Sequence, residues 1–169
     1  MTVTAGGLIL HAPTAQAATT SDAAGTSTVK AVSAAKSAKS AKALRIARQK
    51  AKAQKAVVAA KNQIGDPYRY GATGPGAFDC SGLTQYAWKK AGVKIPRVAA
   101  SQFAGIKRKV SWKNLQPGDL MFFRGLGHVG MYVGNGKMLH SPRTGERVRI
   151  DKLSSWRKAS FVGAVRPGL

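Results

Sequence analysis

The stretch that decides the fold is DCSGLTQYAWKKAG, residues 79–92. Small and apolar side chains recur in it at helical spacing, so they share one face of a predicted helix. Asp79 suits the N-cap position, and Gly92 suits the C-terminal end. The stretch therefore predicts an amphipathic helix that carries Cys80 in its first turn. The residues on the shared face are Cys80, Leu83, Thr84, Ala87, Trp88 and Ala91.

A second stretch, HVGMYVGNGKMLHS at residues 128–141, predicts a β-hairpin around Gly134-Asn135-Gly136. A two-residue turn would place His128 and His140 on opposite faces of the hairpin. A three-residue loop shifts the register by one residue and places both on the same face. We predict the three-residue loop, because only that register lets His140 orient His128. The opposite, apolar face then contains Val129, Met131 and Leu139.

The elements around these two stretches indicate an α+β domain. Residues 57–64 predict a short helix that Gly65 stops, and residues 99–106 predict another. Helices that precede strands favour an antiparallel sheet with the helices packed on it. We expect about five strands, over residues 119–124, 128–133, 137–141, 147–151 and 161–166.

The first 17 residues have features of a signal peptide. An apolar run from Val3 to Leu10 precedes Ala15-Gln16-Ala17, which has the small-x-small form of a signal-peptidase site. A basic n-region is missing, so a disordered Ala/Thr-rich terminus is the alternative. We expect a signal peptide with a truncated start, and hence a secreted, extracellular or wall-associated protein. The later sequence has no apolar run of the length that a membrane span needs, so we expect no such span.

Residues 18–56 predict a basic arm, disordered to helical, in front of a domain at 57–169. The chain has 28 Lys and Arg against 6 Asp and Glu, a net charge of +22. Ten of the positive charges lie between Val29 and Lys61, with no negative one. The arm is either a linker or a tether to an anionic polymer such as those of cell walls. The sequence has no recognised nucleic-acid-reading motif, so we expect no specific nucleic-acid partner.

Cys80 is the single cysteine, which excludes an intrachain disulfide and CxxC-type sites. A helix N-terminus stabilises a thiolate, and a nearby imidazolium adds to that effect, so we expect a reactive, ionised cysteine. The alternative is a buried core thiol. His11 lies in the presumed leader, which leaves His128 and His140 as partners. A zinc site made by these three side chains is the metal alternative; we expect neither metal nor cofactor.

In combination, the motifs resemble those of the NlpC family, also called NlpC/p-sixty. FDCSGL at residues 78–83, preceded by Pro67-Tyr68, is similar to the family's nucleophile motif. LQPGDL at 115–120 and GHVGMYVG at 127–134 are similar to its histidine motif. His140 falls where the family keeps its third, polar catalytic residue. The resemblance covers residues 57–167.

The resemblance implies a papain-like cysteine endopeptidase that cleaves peptidoglycan stem peptides between D-isoglutamate and a diamino acid. Cys80 would be the nucleophile, His128 the general base and His140 the residue that orients it. We expect such an enzyme to act as a monomer.

The resemblance also implies substrate-binding residues. Tyr68 would help to bind the substrate and the oxyanion, and Asp79 and Ser81 would line the subsite for the stem-peptide amino end. Simpler roles stay open, since Tyr68 could only pack, Asp79 could only cap the helix, and Ser141 or a backbone carbonyl could orient the base. Two rival functions also stay open: a non-catalytic basic binding protein, and an amidase or acyltransferase on the same scaffold.

Overall fold

The computed structural model describes Thr2 and residues 24–169. The chain divides into two compact units, Met1–Lys39 and Ser40–Leu169. Apart from Thr2, the predicted signal peptide at 1–17 lies outside the described residues, and so does the start of the arm at 18–23. In the part that the structure describes, no helix has both the length and the apolar character needed to cross a bilayer.

Helix α1, Ala24–Lys61, contains the described part of the predicted arm and continues beyond it. Alanine and lysine are strong helix formers, and this segment has no proline. Basic side chains from Lys36 onward are exposed at every position. They are Lys36, Lys39, Lys42, Arg45, Arg48, Lys50, Lys52, Lys55 and Lys61.

The second unit begins before the predicted domain boundary at residue 57. Ala53 and Ala56 are buried in the main core, and the buried Gln49 donates from Nε2 to the carbonyl oxygen of Pro167 at 3.0 Å. These residues escape a prediction that counts only side chains larger than alanine as core. Small residues at helical spacing let a helix pack closely, so the end of the arm belongs to the compact unit.

Three further helices follow α1. Helix α2 is Cys80–Lys90, α3 is Ala99–Gly105, and α4 is Ser155–Ala159, with a short 3-10 turn at Trp112–Asn114. The predictions for α2 and α3 agree with the structure to within a residue or two. Helix α4 was not predicted, because five residues are too few for a helical period to be recognised.

The sheet has six antiparallel strands in the order β1-β6-β2-β3-β4-β5. The α+β prediction with an antiparallel sheet is confirmed. The additional strand is β1, whose two residues are too short to show an alternating pattern. The strands are β1 Lys109–Val110, β2 Leu120–Phe123, β3 His128–Gly134, β4 Lys137–His140, β5 Arg149–Lys152 and β6 Phe161–Val165.

Both faces of the sheet are covered by apolar side chains. Leu120 and Phe122 of β2 join the main core with the helices, whereas Met121 and Phe123 join a smaller cluster on the other face. Strand β2 is therefore buried at all four positions. Val129, Met131 and Leu139 all belong to the main core, as the hairpin pattern predicted.

The hairpin has the predicted register, but the turn and the position of the extra residue differ from the prediction. Met131 pairs with Leu139, which places His128 and His140 on the same face. The turn itself is the two-residue form: Gly134 pairs with Lys137, and Asn135 and Gly136 both have positive φ, at 51° and 63°. An irregularity between Tyr132 and Gly134 then shifts the register by one residue. The predicted three-residue loop was wrong, because a bulge supplies the shift.

Candidate active site

Asp79 holds the start of α2 in place. It is the N-cap residue, and its Oδ1 accepts from the backbone amide of Gly82 at 2.6 Å. Its Oδ2 accepts from the backbone amide of Gly71 at 3.0 Å, which ties the preceding loop to the helix. Gly82 is required here, since a Cβ at this position would overlap the carbonyl oxygen of Ala72. The loop, the cap and the first turn therefore form one rigid unit.

Arg97 completes this unit, and sequence reasoning missed it. Its guanidinium donates from Nη1 to Asp79 Oδ1 at 3.0 Å and from Nη2 to Asp79 Oδ2. Burial works to raise the pKa of Asp79, but hydrogen bonds from Arg97 and Gly82 outweigh it and hold the pKa below its usual value. Asp79 is consequently ionised and paired at neutral pH. The partner lies 18 residues away in a loop, where no local pattern marks it.

Ser81 and Tyr68 lie at the same end of α2. Ser81 Oγ donates to Asp79 Oδ1 at 3.2 Å and accepts from Arg97 Nη1 at 2.9 Å. The pKa of Tyr68 is raised, first by burial and then by the nearby charges of Cys80 and Asp79. The structure thus brings Tyr68, Asp79, Cys80 and Ser81 together. Their predicted contacts with substrate stay predictions.

Cys80 is the first residue of α2 and is partly buried. Burial raises the pKa of its thiol, and hydrogen bonds from the backbone of Val129, Ser81 and Cys80 itself offset only part of the rise. The ionised thiol expected from the helix N-terminus is therefore not the favoured form, because removal from water outweighs the amides of the first turn. The contact with Val129 places the sulfur against the beginning of β3, one residue from His128.

The histidine side of the site is a chain of three groups on three adjacent strands. His128 Nε2 lies 2.9 Å from His140 Nδ1, and His140 Nε2 lies 2.9 Å from Asp151 Oδ2. His128 begins β3, His140 ends β4, and Asp151 lies in β5. His140 is only 1% exposed. Asp151 was not predicted as a site residue, although it is the group that ends the chain.

The proton positions in this chain follow from Asp151. Burial works to raise the pKa of Asp151, but hydrogen bonds from Arg149 and His140 hold it below the usual value, so the carboxylate is ionised and only accepts. His140 must then donate from Nε2 and accept at Nδ1. His128 must donate from Nε2 to His140, which leaves the lone pair of His128 Nδ1 free. The hydrogen bonds from His128 to His140 and from His140 to Asp151 thus select the tautomer of His128 that a general base needs.

Both histidines favour the neutral form. Burial lowers the pKa of His128 to about 3, with further contributions from the neighbouring His140 and from the positive charges of Arg157 and Arg124. Burial also lowers the pKa of His140, although the hydrogen bond that His140 donates to Asp151 acts in the opposite direction. A neutral imidazole at neutral pH can accept a proton, whereas an imidazolium cannot.

The metal alternative receives no geometric support in the part of the chain that the structure describes. Across residues 24–169, no group of three or more His, Cys, Asp or Glu side chains is arranged to hold a metal ion. The two imidazoles instead use their facing nitrogens for each other and for Asp151.

The family model for NlpC/P60 matches residues 65–166, which include α2 and all six strands. The chain belongs to the NlpC/P60 family. The family model covers the capped helix that carries Cys80 and the three strands that carry the two histidines and Asp151, so the resemblance drawn from the motifs is confirmed.

Two curated members of the NlpC/P60 family show how much of their length the chain shares. The chain is 46% identical over 135 residues to murein DD-endopeptidase MepH of Escherichia coli, and this match covers 69% of the chain and 48% of MepH. The chain is also 41% identical over 107 residues to the probable endopeptidase p60 of Listeria monocytogenes, and this match covers 60% of the chain and 22% of p60. The chain thus spans about half of MepH and about a fifth of p60.

Solved structures confirm the NlpC-type fold. An NlpC/P60 family protein from Bacillus cereus superimposes with a TM-score of 0.62 at 37% identity, and the match covers 68% of this chain and 39% of that chain. The peptidoglycan hydrolase RipB of Mycobacterium tuberculosis superimposes with a TM-score of 0.62 at 30% identity, and the match covers 71% of this chain and 66% of RipB.

Proposed function

We propose that this NlpC/P60 chain is a cysteine endopeptidase that hydrolyses amide bonds in peptidoglycan stem peptides. The observation that carries the proposal is the Asp151–His140–His128 chain, which ends in a free imidazole nitrogen beside the strand position that contacts the Cys80 thiol. The names of its relatives support the substrate class, since MepH is called a murein endopeptidase and RipB a peptidoglycan hydrolase.

The first step is proton transfer coupled to attack. His128 Nδ1 takes the proton from the neutral Cys80 thiol as the sulfur bonds to the carbonyl carbon of the substrate. The imidazolium that forms is stabilised through His140 by the ionised Asp151. Burial of both groups favours the neutral pair before attack, so the charges arise only when substrate is positioned.

The second step breaks the amide. The oxyanion is held by the Cys80 backbone amide at the start of α2 and by the Tyr68 hydroxyl. His128 gives its proton to the leaving amine, the C–N bond breaks, and water then hydrolyses the thioester to free the carboxylate and the thiol. Asp79 and Ser81 shape the subsite for the amino end of the stem peptide, at the same end of α2.

The bond we propose is that between D-isoglutamate and the diamino acid. MepH carries the name DD-endopeptidase, which refers to a different bond, so the two specificities have to be separated by experiment. Digestion of defined stem peptides and of cross-linked dimers, followed by mass analysis, assigns the cleaved bond directly. An amidase or acyltransferase would instead release intact stem peptide or form a new amide.

Replacement of the nucleophile tests the mechanism. Cys80→Ala should lower turnover of defined stem peptides by more than about 10³-fold. Iodoacetamide should abolish the activity of the unmodified chain, while chelators should leave it unchanged. Thr84→Ser, on the same helix, is a matched control and should keep normal turnover. Full wall-related activity in Cys80→Ala would instead favour a non-catalytic binding protein.

Secretion and attachment to the wall belong to the same proposal. A peptidoglycan substrate lies outside the cytoplasmic membrane, which is consistent with the signal-peptide features of residues 1–17. The nine exposed basic side chains of α1 from Lys36 to Lys61 are suited to anionic wall polymers. Release of the chain from isolated walls by moderate salt, with less retention when these nine residues are replaced by glutamine, would support this role.

A further inference from the structure

A cavity of about 290 Å³ lies next to the histidine pair. Four of its lining side chains are arginines, and only one is a carboxylate. The lining residues are Arg124, His128, His140, Pro142, Arg143, Glu146, Arg149, Trp156 and Arg157. The catalytic steps proposed above use only the two histidines of this set.

Three of the arginines are already paired. Arg143 and Arg149 donate to Glu146 at 2.8 and 2.7 Å. Arg149 and Arg157 each donate to Asp151 at 2.9 Å. Four guanidinium groups thus face two carboxylates, and the cavity keeps a surplus of positive charge.

Arg124 differs from the other three arginines. The ion pairs found among residues 24–169 do not include it, and its guanidinium lies over the Trp156 ring at 5.3 Å. It lies in the loop between β2 and β3, and its φ of 52° is in the left-handed region that costs a side chain like arginine free energy. The loop therefore holds, beside the cavity, an arginine that has no ion pair among the described residues.

We propose that this cavity is an anion subsite that binds a carboxylate of the leaving fragment of the substrate, with Arg124 as its main ligand. The inference rests on the proposed function. The amino end of the stem peptide is assigned to Asp79 and Ser81, so the fragment beyond the scissile bond lies toward the imidazole that protonates its amine. A guanidinium matches a carboxylate with two parallel hydrogen bonds, and Trp156 keeps the group flat and oriented.

The side chain of the diamino acid can carry such a carboxylate. Binding there would offset the positive charges of Arg157 and Arg124, which lower the pKa of His128. Occupancy of the subsite would therefore make His128 a stronger base when the substrate is in place. The same interaction would serve both specificity and proton transfer.

The test uses two stem peptides that differ only at the diaminopimelate side chain, which ends in a carboxylate in one and a carboxamide in the other. The unmodified chain should show a kcat/KM about 10- to 100-fold higher for the carboxylate peptide. Arg124→Asn should abolish the preference by lowering kcat/KM for the carboxylate peptide alone. Asparagine is chosen because it tolerates the left-handed backbone. Arg108→Asn, which changes an exposed arginine outside the cavity, should keep the preference.

The outcomes separate the subsite from the enzyme. If the unmodified chain cleaves both peptides equally well, or Arg124→Asn keeps the preference, the subsite is overturned while the endopeptidase proposal stands. If neither peptide is cleaved but a different stem-peptide bond is, the subsite is overturned while the chain remains an endopeptidase, because the leaving fragment then no longer begins with the diamino acid. If no stem peptide is cleaved, both proposals fall. Arg124→Lys provides a second variant, and it should keep only part of the preference because it lacks the two-pronged geometry.

Discussion

The nucleophile side and the base side of the candidate site are built in different ways. On the nucleophile side, Asp79, Cys80, Ser81 and Gly82 are consecutive, and a single helix start orders them. On the base side, the histidine chain takes one residue from each of three neighbouring strands. The first arrangement survives as long as one turn of helix forms. The second exists only when two strand registers are correct at the same time.

The two sides also differ in how charge is held. Asp79 is ionised and enclosed by donors, so the nucleophile side is stable before substrate binds. On the base side, two neutral imidazoles lie between an ionised carboxylate and several arginines. Changes on the nucleophile side apart from Cys80 should therefore affect stability most, whereas changes on the base side should affect turnover most.

The largest effect is expected for His128→Ala, which removes the base and leaves the nucleophile side intact. Turnover of stem peptides should fall by roughly 10³- to 10⁴-fold, because no other group is placed to move the proton. Steady-state kinetics on a defined peptide measures this, and circular dichroism checks the fold. Turnover within tenfold of the unmodified chain would mean that another group is the base.

Asp151→Asn should have the next largest effect. The asparagine must turn its NH₂ group toward either His140 or Arg149, and each of these is itself a donor. The tautomers of His140 and His128 are then no longer fixed. We expect kcat to fall by about 10- to 100-fold with little change in KM. Arg149→Gln, which keeps the carboxylate, is the control. A drop of equal size in the control would assign the effect to the ion pairs and not to the histidines.

Asp79→Ala should destabilise the fold, since it removes the cap and leaves Arg97 without its carboxylate. The free energy of unfolding should fall by about 1–2 kcal/mol, measured by urea denaturation. Ser154→Ala is the matched control, because Ser154 caps the short, exposed helix α4 with a long contact of 3.5 Å. Its effect should be a few tenths of a kcal/mol. Equal losses in the two variants would contradict the rigid-unit interpretation of the α2 start.

An effect of similar size is expected for the pH dependence of stability between pH 6.5 and 5. The folded chain keeps His128 neutral down to a pKa of about 3, whereas the unfolded chain takes up this proton near 6.5. The unfolded state therefore binds more protons in this window, and stability falls as pH falls, by about 1–2 kcal/mol. The pKa values of Asp79, Glu146 and Asp151 are lowered, so their contributions are lost mainly below this window. Thermal unfolding of His128→Gln should show a flatter profile; an unchanged slope would place the effect elsewhere.

Prediction from sequence succeeded where the deciding contacts are local. The helix face of α2 and the cap at Asp79 follow from spacing within a single turn. The hairpin face followed from requiring His128 and His140 to meet, and the structure reaches the same face through a bulge that the turn residues do not reveal. Arg97, Asp151 and Arg124 were missed because each reaches the site from another loop or strand.

The sequence by itself determined the α+β class, the family and the position of Cys80 at a helix start. These depend on periodicity and on neighbouring residues, which the chain order records. Only the tertiary structure decided that Asp151 ends the histidine chain, that Arg97 encloses Asp79 and that Cys80 and His128 favour their neutral forms. Strand register and removal from water depend on residues that are distant along the chain, and local patterns carry no record of either.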